Sequence, residues 1–398
     1  MVNYLGEITS KALSVIFVAF AICALGYLLG RIEIKGISLG SAGVLIVALG
    51  FGVLCSFFPS FMIGETTINL FNASLKSSYS TISSIGTALF VTAVGLIAGP
   101  KFFRTFNRKS LAYILMGVIV IVAGAGMAVG LLMLDKGLTP AMAVGLLMGG
   151  LTSTPGLSAA QDVIDSADLS AGYAIAYLFG VLGVVLFVQI MPRLLRVDIA
   201  KERESFVAAG AVTIKEDSKK RISVDPLGFF PFVLAIALGV LIGSIKIPGI
   251  NFSLGTSGGT LVAGLIVGHF GHIGPIDCRI KKETLNFFRE LGLVLFLAGA
   301  GVKGGVEFID KFNPVYFLYG AILTLVPMIL GFLLGKFVFK LSIFNNLGSI
   351  TGGMTSTPAL GALISTAGTD DVSSAYAATY PIALVMVVLA AKVVLMVF

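Results

Sequence analysis

Charge is what this chain has least of: 12% of its 398 residues are Asp, Glu, Lys or Arg, against 57% hydrophobic, and the mean hydropathy is +1.02. A soluble globular fold has nowhere to bury that much apolar surface, and a disordered chain needs far more charge, so an integral membrane protein is implied. Cysteine is equally sparse. Cys23, Cys55 and Cys278 are far apart and suggest no pairing, which removes a disulfide scaffold. Ten-residue alternating segments are missing, which removes an outer-membrane barrel, whereas apolar runs of about 20 residues recur from end to end, as spanning helices require. The net charge of +7 does not signal a nucleic-acid partner, because the 27 basic residues lie in short loops between apolar runs.

The runs place spans near Ala12–Gly30, Ile37–Phe58, Ile82–Gly99, Leu111–Leu134 and Ala171–Met191, then Leu227–Ile245, Phe252–Phe270, Phe288–Val302, Pro314–Phe339 and Ser374–Val394. Two broken stretches, Thr139–Ala167 and Asn345–Gly368, interrupt the series. The one long polar segment, 193–226, reads as a cytoplasmic linker between membrane halves 1–192 and 227–398. Lys11 before the first run and Arg31 and Lys35 after it reverse a signal peptide's charge order, so that run reads as a span with its N-terminus outside.

The halves are related. Gly150–Gly180 and Gly353–Ala383 align without a gap and share 12 of 31 residues, including Thr-Ser-Thr-Pro at Thr152–Pro155 and Thr355–Pro358. Asp168, Tyr173 and Tyr177 match Asp371, Tyr376 and Tyr380. If each broken stretch is a re-entrant hairpin, each half crosses five times and the second half is inverted. That arrangement puts 20 of the 27 basic residues on one side, which the positive-inside rule assigns to the cytoplasm. The expected fold is therefore an all-α polytopic membrane protein of two inverted repeats, each with about five spans and a re-entrant or broken segment.

Each tetrad follows a Gly-Gly pair, and its proline breaks one helix while suiting the first position of the next, which puts Thr154 and Thr357 at the N-cap. An arm of about 13 residues, about 20 Å as a helix, reaches the middle of the membrane without crossing it. Irregular backbone at that depth must line a protein-walled or wet cavity. Two such tips would bring hydroxyls and helix N-termini together in an electropositive site for an anionic group, a carboxylate above all. Thr152, Ser153, Thr154, Pro155, Thr355, Ser356, Thr357 and Pro358 are the candidate substrate residues, with Tyr177 and Tyr380 as cavity-lining candidates.

Weaker patterns stand beside these. Gly255-Thr-Ser257-Gly-Gly259 followed by His269 fits a serine-hydrolase elbow, but 12 residues of helix separate the two side chains by about 18 Å, and helix packing is the better reading. His269-x-x-His272 with Asp277 and Cys278 is a weak metal pattern. Asp162, Asp165 and Asp370 read as polar caps at the membrane faces, while Asp168 and Asp371 are candidates for cation or proton coupling. Arg289 and Lys303 lie at span ends, where snorkelling is usual. No cofactor or metal is implied.

With Gly-Gly-x-Thr-Ser-Thr-Pro-x-Leu in both halves and Tyr376-Ala-Ala-Thr-Tyr380-Pro381 after the second, the sequence resembles the aspartate:alanine exchanger family of bacterial transporters. The resemblance implies exchange of small amino acids or dicarboxylates such as succinate across the bacterial inner membrane, at Thr152–Pro155 and Thr355–Pro358. An elevator-type alternating access and a homodimer are expected with it. Family members usually carry a pair of cytoplasmic domains resembling those of potassium-uptake regulators between the halves, and only a short linker stands here. A sodium- or proton-coupled symporter remains the alternative.

Overall fold

Apolar chain in a membrane satisfies its backbone internally, and helices do this with local bonds alone. A computed structural model describes residues 9, 13–34, 37–38, 42–102, 111–197, 221–247, 252–306, 308–369 and 372–398. Most of the linker, along with Asp370 and Asp371, lies outside the described residues.

In the first part the helices are α1 (Val15–Gly30), α2 (Ala42–Phe57), α3 (Ala73–Phe102), α4 (Leu111–Leu134), α5 (Pro140–Gly150), α6 (Thr154–Gln161) and α7 (Ala167–Leu194). The second part repeats the order with α8 (Phe229–Ser244), α9 (Gly255–Phe270), α10 (Lys282–Val306), a one-turn α11 (Phe308–Lys311), α12 (Pro314–Phe337), α13 (Ile343–Gly353), α14 (Thr357–Ala367) and α15 (Ser373–Val397). Among the described residues, four two-stranded antiparallel pairs sit between helices: β1–β2 (Glu33–Ile34, Ile37–Ser38), β3–β4 (Ser60–Ile63, Thr66–Asn69), β5–β6 (Lys246–Ile247, Phe252–Ser253) and β7–β8 (His272–Ile273, Ile276–Asp277). By length and composition six helices among the described residues can cross a membrane: α3, α4, α7, α10, α12 and α15.

Several boundaries differ from the hydropathy reading. The span expected from Ile37 starts as a strand and becomes helix at Ala42, and that expected from Phe252 becomes helix at Gly255. Helix α3 begins nine residues before Ile82, and in that added stretch Ser78 and Thr81 satisfy their hydroxyls by donating to carbonyls four residues back (3.1 Å). At the linker's end, Asp225 accepts from the backbone amides of Leu227, Phe229 and Phe230 (2.8–3.0 Å) and fixes the start of α8. Those amides hold its carboxyl below the usual range, so this support fades as pH falls through the carboxyl's titration.

The helices gather into two groups. Helix α3 packs on α9 and α10, α2 on α10, α1 on α2 and α8 on α9, while α4–α7 pack among α12–α15. Contacts recur in matching pairs: α5 with α7 and α13 with α15, α4 with α15 and α12 with α7, α6 with α15 and α14 with α7.

Two local directions matter for the site. Along α10, Gly292 lies against Gly86 and Phe90, and Gly299 lies against Tyr79 and Ser83, so the matching helices α3 and α10 run antiparallel. Gly145 lies against Leu169 and Gly149 against Tyr173, so α5 and α7 run parallel, and the chain through α6 returns to the level where α5 began. The bond from Thr139, the N-cap of α5, to Asp168 in the first turn of α7 (2.7 Å) joins those two levels. Gly348 against Val372 and Gly352 against Tyr376 repeat the parallel pairing in α13 and α15.

The α3–α10 crossing depends on two glycines. A Cβ at Gly86 would stand 2.4 Å from the Phe296 nitrogen, and one at Gly292 would stand 2.3 Å from the Phe90 nitrogen, both backbone atoms that cannot swing aside. Replacing either by leucine is expected to cost at least about 2 kcal/mol and lower the unfolding midpoint in detergent. Gly50→Leu, at a position with open space around its Cβ, is the control, and equal losses in all three would remove the crossing as the cause.

Candidate functional site

Between α5 and α6 the chain turns through Leu151, Thr152 and Ser153, and between α13 and α14 through Met354, Thr355 and Ser356. Thr152 and Thr355 both have φ of 52°, a left-handed conformation that a β-branched residue adopts only under constraint. The constraint is mutual. Thr152 Oγ1 donates to the Met354 carbonyl (2.8 Å), and Thr355 Oγ1 donates to the Leu151 carbonyl (3.2 Å). Leu151 and Met354 are the C-caps of α5 and α13, so each tip supplies a donor to a carbonyl at the other's buried helix end.

The N-caps fall one residue earlier than the proline rule places them. Ser153, not Thr154, precedes α6 and accepts from Gly156 N (3.2 Å), because Thr154 belongs to the helix and shares a hydrogen bond with the Tyr173 hydroxyl (3.0 Å). Pro155 sits in the first turn, where its missing N–H costs nothing. Ser356 holds the same position before α14, which opens with Thr357 and Pro358. Its hydroxyl is fully buried and, among the described residues, has no hydrogen-bond partner.

The other sequence candidates divide. The rings of Tyr173 and Tyr177 lie 4.9 Å apart and those of Tyr376 and Tyr380 lie 5.0 Å apart, one pair beside each hairpin arm. Tyr173 is fully buried, and Tyr380 packs against a core to which α3 and α9 contribute. Asp168 is buried and accepts from Thr139, which joins α5 to α7. Its match, Asp371, lies outside the described residues.

The structure also assembles polar residues that hydropathy passed over. A polar cavity of about 210 Å³ lies between α6 with its following loop and helices α3, α9 and α10. Ser158 on α6 donates to Thr87 Oγ1 on α3 (2.8 Å) and is bonded by Ser257 Oγ on α9 (3.1 Å). Asp162 accepts from Ser257 N (2.9 Å) and lies 3.8 Å from the buried Lys392 ammonium. Gly255 makes room for it: its φ is +68°, and a Cβ there would stand 2.5 Å from the carboxylate. Lys303 reaches Asp165 (2.7 Å) and Ser80 (2.9 Å).

Two expectations change accordingly, those for the aspartates after the first tip and for Lys303. Asp162 and Asp165 are not idle caps but tie the first hairpin to α9 and α10. Lys303 does not snorkel; its side chain is 8% exposed inside a glycine-rich stretch of α10. Ser257 bonds the tip helix, while the glycine run beside it does pack closely, Gly259 lying against Gly243. His269 lies a whole helix away at the other end of α9, and Asp277 of the metal pattern is engaged by Arg279 (2.7–3.2 Å). A signal was available for the cavity: Ser80, Ser84 and Thr87 share one helix face, and a lysine among glycines in an apolar helix needs a partner.

Loss of one tip-to-tip bond leaves a buried carbonyl without its donor. Thr152→Val and Thr355→Val are each expected to cost about 1–3 kcal/mol. Their double mutant should fall short of the sum if the two bonds act as a unit, and strict additivity in thermal unfolding would show that they do not.

A family model described as a predicted permease membrane region, that of the aspartate:alanine exchangers, matches residues 18–193 and 231–396. Similar proteins include uncharacterized transporters of Bacteroides fragilis and Bacteroides thetaiotaomicron, each 28% identical over 95% of this chain and 97% of the relative. One of Rhodopirellula baltica is 25% identical over 94% and 98%. The first of these alignments runs to 538 positions against a chain of 398 residues, so well over a hundred residues of that relative have no counterpart here. Two matches to one permease model, on a helical chain whose described residues include six helices able to span a bilayer, settle the class: this protein belongs to the aspartate:alanine exchanger family of membrane transporters.

Proposed function

We propose that the protein is a secondary active transporter that exchanges small carboxylates, amino acids or dicarboxylates, across the bacterial inner membrane. The observation that carries this reading is the meeting of the two tips. Half-length helices end and begin there, and Thr152 and Thr355 cross-bond in a buried interior. Arms of 11 residues, about 16 Å long, reach the middle of a bilayer and not its far side.

The parallel pairing of α5 with α7 and of α13 with α15 supports re-entrant hairpins, one in each of the repeats 1–192 and 227–398. The antiparallel crossing of α3 and α10 supports inversion of those repeats. Positive-inside counting then puts both termini outside and the linker, 193–226, in the cytoplasm. In this reading the α4–α7 and α12–α15 group carries the tips and moves against a scaffold of α1–α3 and α8–α10, an elevator-like motion. The scaffold is also the surface through which a homodimer would form.

Cargo binds where the N-termini of α6 and α14 converge, held by their amides and by the Ser356 hydroxyl, with Ser153 and the other tetrad residues completing the walls. Tyr177 and Tyr380 flank this site. Exchange follows if the empty pair of helix N-termini, poorly compensated in a dry interior, moves less readily than the loaded one.

The test is uptake of labelled aspartate or succinate into proteoliposomes, empty or preloaded with unlabelled alanine, aspartate or succinate. Uptake into preloaded vesicles alone is expected. Uptake into empty vesicles driven by a sodium or proton gradient would overturn exchange in favour of symport, with Asp168 or Asp371 as the coupling candidates.

The tips also make unequal predictions. Ser356→Ala is expected to weaken substrate binding about tenfold with little change in unfolding, since its hydroxyl supports nothing in the protein. Ser153→Ala should cost about 1 kcal/mol of stability as well, through loss of its cap. Unchanged binding in Ser356→Ala would remove that hydroxyl from the site.

A further inference from the structure

The ion pair between Lys303 and Asp165 is lopsided. The lysine is 8% exposed, walled by α10 and α3, whereas the aspartate side chain is 60% exposed on the loop after α6. The carboxylate can leave for water at little cost, but the ammonium stays where it is and then lacks a counter-ion. Beside that ammonium lies the polar cavity of about 210 Å³, lined by hydroxyls of Ser80, Ser83, Thr87 and Ser158 and by two carboxylates, Asp165 itself and Asp162, the latter engaged by Ser257 N (2.9 Å) and 3.8 Å from the Lys392 ammonium. Hydroxyls with a fixed cation make a site for a carboxylate, and the volume accommodates a small organic acid.

We propose that Lys303 is the scaffold-side counter-ion of the carried carboxylate, and that Asp165 is an internal substitute that holds it when the cavity carries no cargo. The inference rests on the transport reading above and adds to it a second station for the cargo, since Ser158 of α6 lines this cavity and none of the tetrad residues does. Asp165 and cargo compete for one ammonium, so the apparent affinity for cargo is reduced by the fraction of time that Asp165 holds it. The substitution also spares the empty carrier an unpaired buried charge. A purely structural pair would behave in the opposite way: removing Asp165 would leave Lys303 stranded and would loosen the site.

Equilibrium binding of labelled aspartate and of labelled succinate to the purified full chain in detergent separates the two. Asp165→Asn is expected to bind at least one of them about fivefold to tenfold more tightly than the unmodified protein. Lys303→Gln should bind about a hundredfold more weakly, and adding Asp165→Asn to it should restore nothing, because the contested ammonium is gone. Lys303→Arg, which keeps the charge, should retain part of the binding, and thermal unfolding identifies any variant that has simply failed to fold.

Unchanged or weaker binding in a folded Asp165→Asn would overturn the proposal while leaving the transport reading intact, provided the unmodified protein binds and exchanges. If the unmodified protein neither binds nor exchanges any carboxylate, the transport reading falls and this inference with it.

Discussion

Everything near the centre of this protein depends on how two helix ends are satisfied in a dry interior. Helices α5 and α13 stop partway through the molecule, and the carbonyls at such ends have no partner of their own and no water to turn to. Each end finds a donor in the other tip, through Thr152 and Thr355, and each donor is aimed by a left-handed backbone that costs free energy to hold. The same turns release the chain into α6 and α14, whose first amides face the same region. A requirement of backbone chemistry thus produces a pair of breaks with donors at both.

The two hairpins then differ in how they meet the rest of the protein. Helix α6 is tied to α3 and α9 through Ser158, and its following loop to α9 and α10 through Asp162 and Asp165. At the position of α14 that matches Ser158 stands Gly361, facing open space. One side is latched by polar bonds while its counterpart at this point has no side chain to latch with.

Much of the fold was legible in the sequence. Apolar runs located the helices, and the Gly-Gly-x-Thr-Ser-Thr-Pro pair located the breaks, because glycine and proline act locally. What escaped notice was decided at a distance. Ser78 and Thr81 look like loop residues until their hydroxyls fold back on the helix, and the first nine residues of α3 carry no apolar run to mark them. Lys303 and Asp165 are 138 residues apart, so nothing in either neighbourhood announces the other. Thr154 was misread as the cap because its competing partner, Tyr173, lies on another helix.

The reciprocity of the tips bears on the history of the chain. After a duplication, each copy is ordinarily free to drift, since the other retains the original role. Here, the hydroxyl on one copy terminates a helix of the other, so a change at Thr152 is felt at Met354 and a change at Thr355 at Leu151. Neither copy could relax while the other held its place, which offers a physical reason for a threonine opening the tetrad in both halves.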